Sequence, residues 1–257
     1  MQTDPSREIG NTFSRSWQLL SSNWIIIVPA IIIGAIAGLI AALVTPQYVT
    51  DSVTGFPTFH SVLGLPLGVG IAIGSFVGFV GSIVTLTITT GMADAAWKTG
   101  STTLADGMGT LQRPNVMSAM LVLAAVALVL SFLTMVTLGL AAIVEIVVFF
   151  FLIYTLAAAV VGGFAGADAL KESFDVAKSS WLTTLVVIVL LAVVGFLVGL
   201  ITLPLRFIPF LGPIIGAAIQ SIVVAYFSLV LVGEYKALKG RSRATVSSPP
   251  PPSTPTY

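Results

Sequence analysis

An all-α, polytopic membrane bundle of six transmembrane helices is the fold class this sequence predicts, and three observations predict it. Of 257 residues, 56% are hydrophobic and only 8% charged, where a soluble domain carries roughly 25%. Mean hydropathy is +1.06. The apolar residues gather into runs of bilayer length, parted by polar stretches that hold nearly all the charge. Cytoplasmic amphipathic helices and a threefold hairpin repeat complete the expectation.

The chain is read in three parts: residues 1–23, an amphipathic helix; residues 24–233, the membrane domain; and residues 234–257, a polar, proline-rich tail read as largely disordered. Asp4 and Pro5 make a helix start, as N-cap and first helical residue. Ile9, Phe13, Trp17 and Leu20 then recur at helical spacing opposite Arg7, Glu8, Arg15 and Gln18. That pattern predicts a helix lying on a membrane face.

Span one, about 24–44, is about 31 Å long, one hydrocarbon thickness. It reads as a retained span, since a secretory signal has a shorter apolar core and a small-residue cleavage site. A loop over 45–62 follows, with Pro46, Gly55 and Pro57 as turn signals and His60 near its end. Span two covers about 63–90 and must tilt or protrude. The polar interruption over 91–115 contains Thr103 and Asp106 at capping-box spacing.

Residues 116–163 form one apolar stretch with a single charge, Glu145. A helix of that length is far too long for a bilayer, so it must fold back near Thr137-Leu138-Gly139, giving spans three (116–138) and four (139–163). Ala167, Leu170, Phe174, Ala177 and Trp181 outline a second amphipathic helix. Span five covers about 181–203 and span six about 214–232, with Pro204, Pro209 and Pro213 breaking the chain around Arg206. Four successive prolines in the tail favour a polyproline II stub.

Six spans put both termini on one side. Arg7, Arg15, Lys98, Arg113, Lys171, Lys178, Lys236, Lys239, Arg241 and Arg243 share that side, and Arg206 stands alone on the other. This asymmetry predicts a multi-pass cell-membrane protein with both termini cytoplasmic.

The segments preceding spans one and five align. Ser16 meets Ser173, Trp17 meets Phe174, Ser22 meets Ser179 and Trp24 meets Trp181. Trp17, Trp24, Phe174 and Trp181 are interfacial anchors on this reading. Three units follow, each an amphipathic helix plus a transmembrane hairpin, in parallel topology. Any juxtamembrane helix also favours serine and an interfacial tryptophan, the plainer account of the same match.

These residues, with the closing Gly233-Glu234-Tyr235-Lys236, resemble the six-span membrane domain attached to some glycerophosphodiester phosphodiesterases, and related stand-alone bacterial and archaeal membrane proteins. The resemblance covers roughly residues 7–240. It implies the fold and no catalytic residue, because the hydrolase of that family is a separate soluble domain.

The chemistry is sparse. Net charge is +1 and there is no cysteine, which leaves no basic face for nucleic acid and no thiolate site. No HExxH, P-loop or GxSxG motif occurs, so no catalytic residue, metal or cofactor is expected. Gly34 and Gly38, Gly70, Gly74 and Gly78, and Gly195 and Gly199 recur every four residues, a spacing that lets helices approach closely within the chain or between copies. Glu145 should face the bundle interior and find a partner, or be protonated. Arg206, with His60, makes a candidate polar pocket for it; a neutral Glu145 bonded to Thr134 or Thr202 is the alternative. The expected role is a non-enzymatic scaffold or accessory subunit with lipid, a membrane-protein partner or a second copy as neighbours. The alternative is a small transporter or channel for lipid or an apolar solute.

Overall fold

The computed structural model describes residues 5–44, 47–50, 57–60, 62–136, 142–207 and 211–246. They are helical apart from one short antiparallel hairpin. Helix α1 (Pro5–Ser22) leads through a 3-10 turn, Trp24–Ile26, into α2 (Ile27–Val44). Strands β1 (Gln47–Thr50) and β2 (Pro57–His60) pair with Gln47 opposite His60, within the stretch expected to be loop. There follow α3 (Leu67–Thr99), α4 (Leu104–Leu111), α5 (Pro114–Val136), α6 (Ala142–Leu152) and α7 (Thr155–Gly162). Helices α8 (Gly166–Ser179), α9 (Trp181–Thr202) and α10 (Leu211–Val246) complete the chain, with a 3-10 turn, Leu203–Phe207, after α9.

Three stretches are long and apolar enough to cross a membrane as single helices: Phe76–Thr99, Trp181–Leu205 and Ile219–Gly240. Three more qualify only as bent pairs: α1 with α2 (89°), α4 with α5 (71°) and the α6–α7 stretch with α8 (117°). The count of spans is therefore three to six by length and composition.

The helices correct two expectations, the unbroken span four and the disordered tail from 234, and add detail to others. The first residues of the 91–115 interruption are helical, because α3 runs on to Thr99. Ala93 and Ala96 are fully buried there, and the helix stops at Gly100, whose φ of 81° suits glycine. Span four is not one helix. It breaks at Ile153–Tyr154, where Ser173 of α8 accepts the Tyr154 N–H (3.1 Å) and donates to the Phe151 carbonyl (2.7 Å). A side chain thus replaces the helical bonds lost at the break. The tail does not lose its structure at Glu234, since α10 continues to Val246. The buried face of α1 is Ile9, Thr12, Ser16, Leu19 and Leu20, while Trp17 is 61% exposed. The fold-back expected at 137–139 lies outside the described residues; the flanking helices end at Val136 and begin at Ala142.

Helices α3 and α10 span 33 and 36 residues, about 50 Å each against a hydrocarbon core of about 30 Å. Their excess length is where the densest packing sits. Helix α1 packs on α10, α4 on α3, and α8 on α7, forming a collar around one end of the bundle. Within it Met92, Ala93, Ala96, Val116, Ala158, Leu229 and Val232 are fully buried. Gly91 lies against Thr110 of α4, and Gly233 against Trp97 and Thr12, so short amphipathic helices press directly onto the long stems. The expected Thr103–Asp106 capping box is present, with the Thr103 N–H donating to the Asp106 carboxylate at 2.7 Å. Above the collar the helices splay, and side chains such as Leu128, Phe132, Phe196 and Ile201 point outward.

Candidate functional site: a central apolar cavity

The splayed helices enclose a cavity of about 830 Å³, within the range of ligand sites. Seven helices line it, with Leu156 and Ala157 from α7. Ala30, Ile33 and Gly34 come from α2, and Leu123, Val126 and Leu130 from α5. Val148 and Phe149 come from α6, and Ile188, Leu191 and Gly195 from α9. These walls are apolar. The polar lining residues are Ser82, Thr85 and Thr90 of α3 and Gln220 and Ser221 of α10. They form one strip, because α3 and α10 pack side by side. Ser82 and Ser221 donate to the carbonyls of Gly78 (2.8 Å) and Ala30 (2.7 Å). No charged residue lines the cavity among the described residues.

A layer of buried polar groups lies on the collar side. Thr89 and Ser228 share a hydrogen bond of 2.6 Å. The Trp97 indole donates to the Leu229 carbonyl at 2.8 Å, and the Arg15 guanidinium stacks on its ring at 4.7 Å. Asp94, 4% exposed, pairs with Lys98 (2.7 Å) and Lys236 (2.9 Å). Glu172 pairs with Lys239 and accepts a bond from the Tyr235 hydroxyl. Asn23, at the end of α1, donates to the Gly100 carbonyl (3.0 Å) and accepts the Thr102 N–H (3.1 Å), tying α1 to the α3–α4 connection.

The residues singled out from sequence fall in different places. Glu145 is on α6, Arg206 in the turn after α9 and His60 on β2; their side chains lie outside the described residues, and so does the candidate polar pocket. Gly34, Gly78 and Gly195 line the cavity. An added Cβ at Gly78, Gly195 or Gly199 would meet no atom within 4 Å, so these three glycines are not at close helix contacts within the chain. Gly70 is buried, and Gly38 and Gly74 are half-buried. A Cβ added at Gly81 would stand 3.4 Å from the Ala37 Cβ of α2, an ordinary contact. The anchors Trp17, Trp24, Phe174 and Trp181 are all exposed, at 61, 67, 40 and 59%.

Sequence reasoning missed Glu234, 1% exposed, and the tight glycines Gly91, Gly107 and Gly233. The available signal was Gly-Met-Ala-Asp at 91–94 beside Gly-Glu at 233–234, glycine followed by acid near the ends of two long apolar runs. No protein-family model matches the chain, and no curated protein or solved structure is significantly similar to it.

Proposed function

We propose that the chain is a six-span, non-enzymatic membrane protein that takes a neutral, largely apolar ligand into the cavity among its helices. The observation that carries this reading is the cavity: about 830 Å³, apolar on most sides, with hydroxyl and amide groups from α3 and α10 and no charge among the described lining residues. Hydroxyls and an amide satisfy a hydroxyl or carbonyl on a ligand. An ion or charged headgroup would find no counter-charge among those residues. A lipid or small solute with one or two neutral polar groups fits.

Three crossing hairpins in parallel account for the collar. Each amphipathic helix packs on the second span of the unit before it, and α1 closes the ring on α10. The aligned Ser16 and Ser173 are both fully buried, and the aligned Trp24 and Trp181 are both exposed. The basic residues of the collar and tail favour a cytoplasmic collar. On the resemblance to glycerophosphodiester phosphodiesterase membrane domains, this collar and cavity would be the shared unit.

The scaffold reading draws on the outward aromatic side chains of α1 and α8, which suit a bilayer interface or a partner. A scaffold has no use for the cavity, so the ligand-binding reading leads. Photolabelling tests it. A diazirine-bearing long-chain alcohol added to the chain in phosphatidylcholine nanodiscs should label inward residues such as Val126, Ile188 and Leu191. Labels confined to outward residues such as Phe132 and Phe196 would contradict it.

A further inference from the structure

Beneath the cavity, on the collar side, sits a group of buried oxygens that the fold leaves without partners. Glu234 is 1% exposed, and neither carboxyl oxygen has a hydrogen bond among the described residues. The same is true of the Tyr154 phenol and the Thr184 hydroxyl, both fully buried. They are neighbours. The Tyr154 hydroxyl faces Thr184 and lies near the Glu234 carboxyl, which in turn faces the Thr12 hydroxyl. Three helices bring the group to the cavity floor. Glu234 follows the lining residue Leu231 by one turn of α10, Thr184 precedes Ile188 by one turn of α9, and Tyr154 adjoins Ile153.

A carboxylate so placed needs a counter-charge. Among the described residues, the charged groups around it are committed elsewhere. On α3, Asp94 engages Lys98 and also Lys236 of α10. On α8, Glu172 engages Lys239 and Tyr235 of α10, and Lys178 lies over Phe174. Asp168, Lys171 and Asp175 of α8 are exposed. On α1, Arg15 stacks on Trp97. Helices α2, α7 and α9 contain no charged residue. The remaining neighbours, Tyr154, Thr184 and Thr12, are hydroxyls that can accept a proton's hydrogen bond but cannot neutralise a charge.

We propose that Glu234 is a proton-binding site on the collar side of the cavity floor, its carboxyl buried among hydroxyls. The proton is exchanged with water: the carboxylate takes one up to become the acid and returns it on release. Internal water completes the hydrogen bonds of Tyr154 and Thr184, as buried polar groups require. A linkage follows, and it rests on the ligand-binding reading above. If the ligand prefers the acid form, its affinity falls up to about tenfold per pH unit once the proton is lost.

Infrared spectroscopy of the full chain in nanodiscs tests the site without reference to any ligand. Wild type should show a carboxylic-acid C=O band near neutral pH that E234Q lacks. E234Q should melt with wild type there, because glutamine replaces a neutral group of the same shape. A band absent from wild type, or unchanged in E234Q, overturns the proposal. So does a band that appears only when choline replaces sodium, since an alkali cation would then occupy the site. Labelling by the diazirine alcohol across the same pH series reads the linkage. Labelling should decline with rising pH in wild type and stay flat in E234Q; equal labelling at every pH, with a titrating band, removes the linkage. A titrating band without cavity labelling at any pH would overturn the ligand reading and leave the proton site standing.

Discussion

Gly233→Ala should be among the most damaging single-methyl additions in this chain. The new Cβ would sit 2.8 Å from Cε2 of the Trp97 ring and 3.0 Å from the Thr12 methyl, closer than real contacts allow. The ring has little freedom to yield. Its indole nitrogen donates to the Leu229 carbonyl at 2.8 Å and Arg15 covers its face at 4.7 Å. Overpacking costs about 1–3 kcal/mol, and tearing the indole bond adds about 0.5–1.5 kcal/mol. A loss of about 2–4 kcal/mol corresponds to a fall in melting temperature on the order of 10 °C for a chain of this size. Gly195→Ala is the control, since an added Cβ there meets nothing within 4 Å; it should stay within about 0.5 kcal/mol of wild type. The assay is thermal unfolding in nanodiscs, read by tryptophan fluorescence. If Gly233→Ala melts with wild type, the collar is not pressed onto α10 as described.

Ser173→Ala leaves the Tyr154 N–H buried without its acceptor, a loss of about 1–3 kcal/mol; amide exchange at Tyr154 should quicken, and an unchanged rate would count against the bridged break. Asn23→Ala removes the bonds to Gly100 and Thr102, so limited proteolysis should cut sooner around α1, with the cuts elsewhere unaltered. The backbone N–H of Thr103, and then its hydroxyl, hold the Asp106 carboxyl below its ordinary value. The folded value lies below the unfolded one, so the cap supports α4 above the ordinary carboxylate range and is lost as pH falls through the lowered value. Amide exchange in α4 should rise at acid pH in wild type, and in Asp106→Ala at every pH.

The helical character and the presence of apolar stretches of membrane length are legible in the sequence because bilayer-length runs have few other solutions. The capping box at Thr103 and Asp106 is legible for the same local reason, as both partners lie within one turn. The direction of the amphipathic helices is not. The apolar stripe marks Trp17 and Phe174, which face outward, but does not mark the small Ser16 and Ser173, which are fully buried. In a bilayer, apolar bulk gains little from burial against protein, and close approach selects small residues instead. The same physics hides the glycines. A four-residue spacing marks Gly78 and Gly195, which border open space, while the isolated Gly91 and Gly233 carry the tight contacts. The cavity is a void between helices distant in sequence, and no local pattern encodes it. Glu234 escapes because it closes a long apolar run next to lysines, the composition of a solvated tail, yet α10 carries it under the collar.

The cavity's role is tested most directly by filling it. Gly78 and Gly195 both line it, and an added Cβ at either meets nothing within 4 Å, so larger side chains enter the void without disturbing the helices. Photolabelling by the diazirine alcohol should therefore be lost at Val126, Ile188 and Leu191 in Gly78→Leu/Gly195→Phe, with melting temperature held and labelling of Phe132 and Phe196 unchanged. Equal labelling of the inward residues in wild type and the filled variant would contradict a ligand-holding cavity.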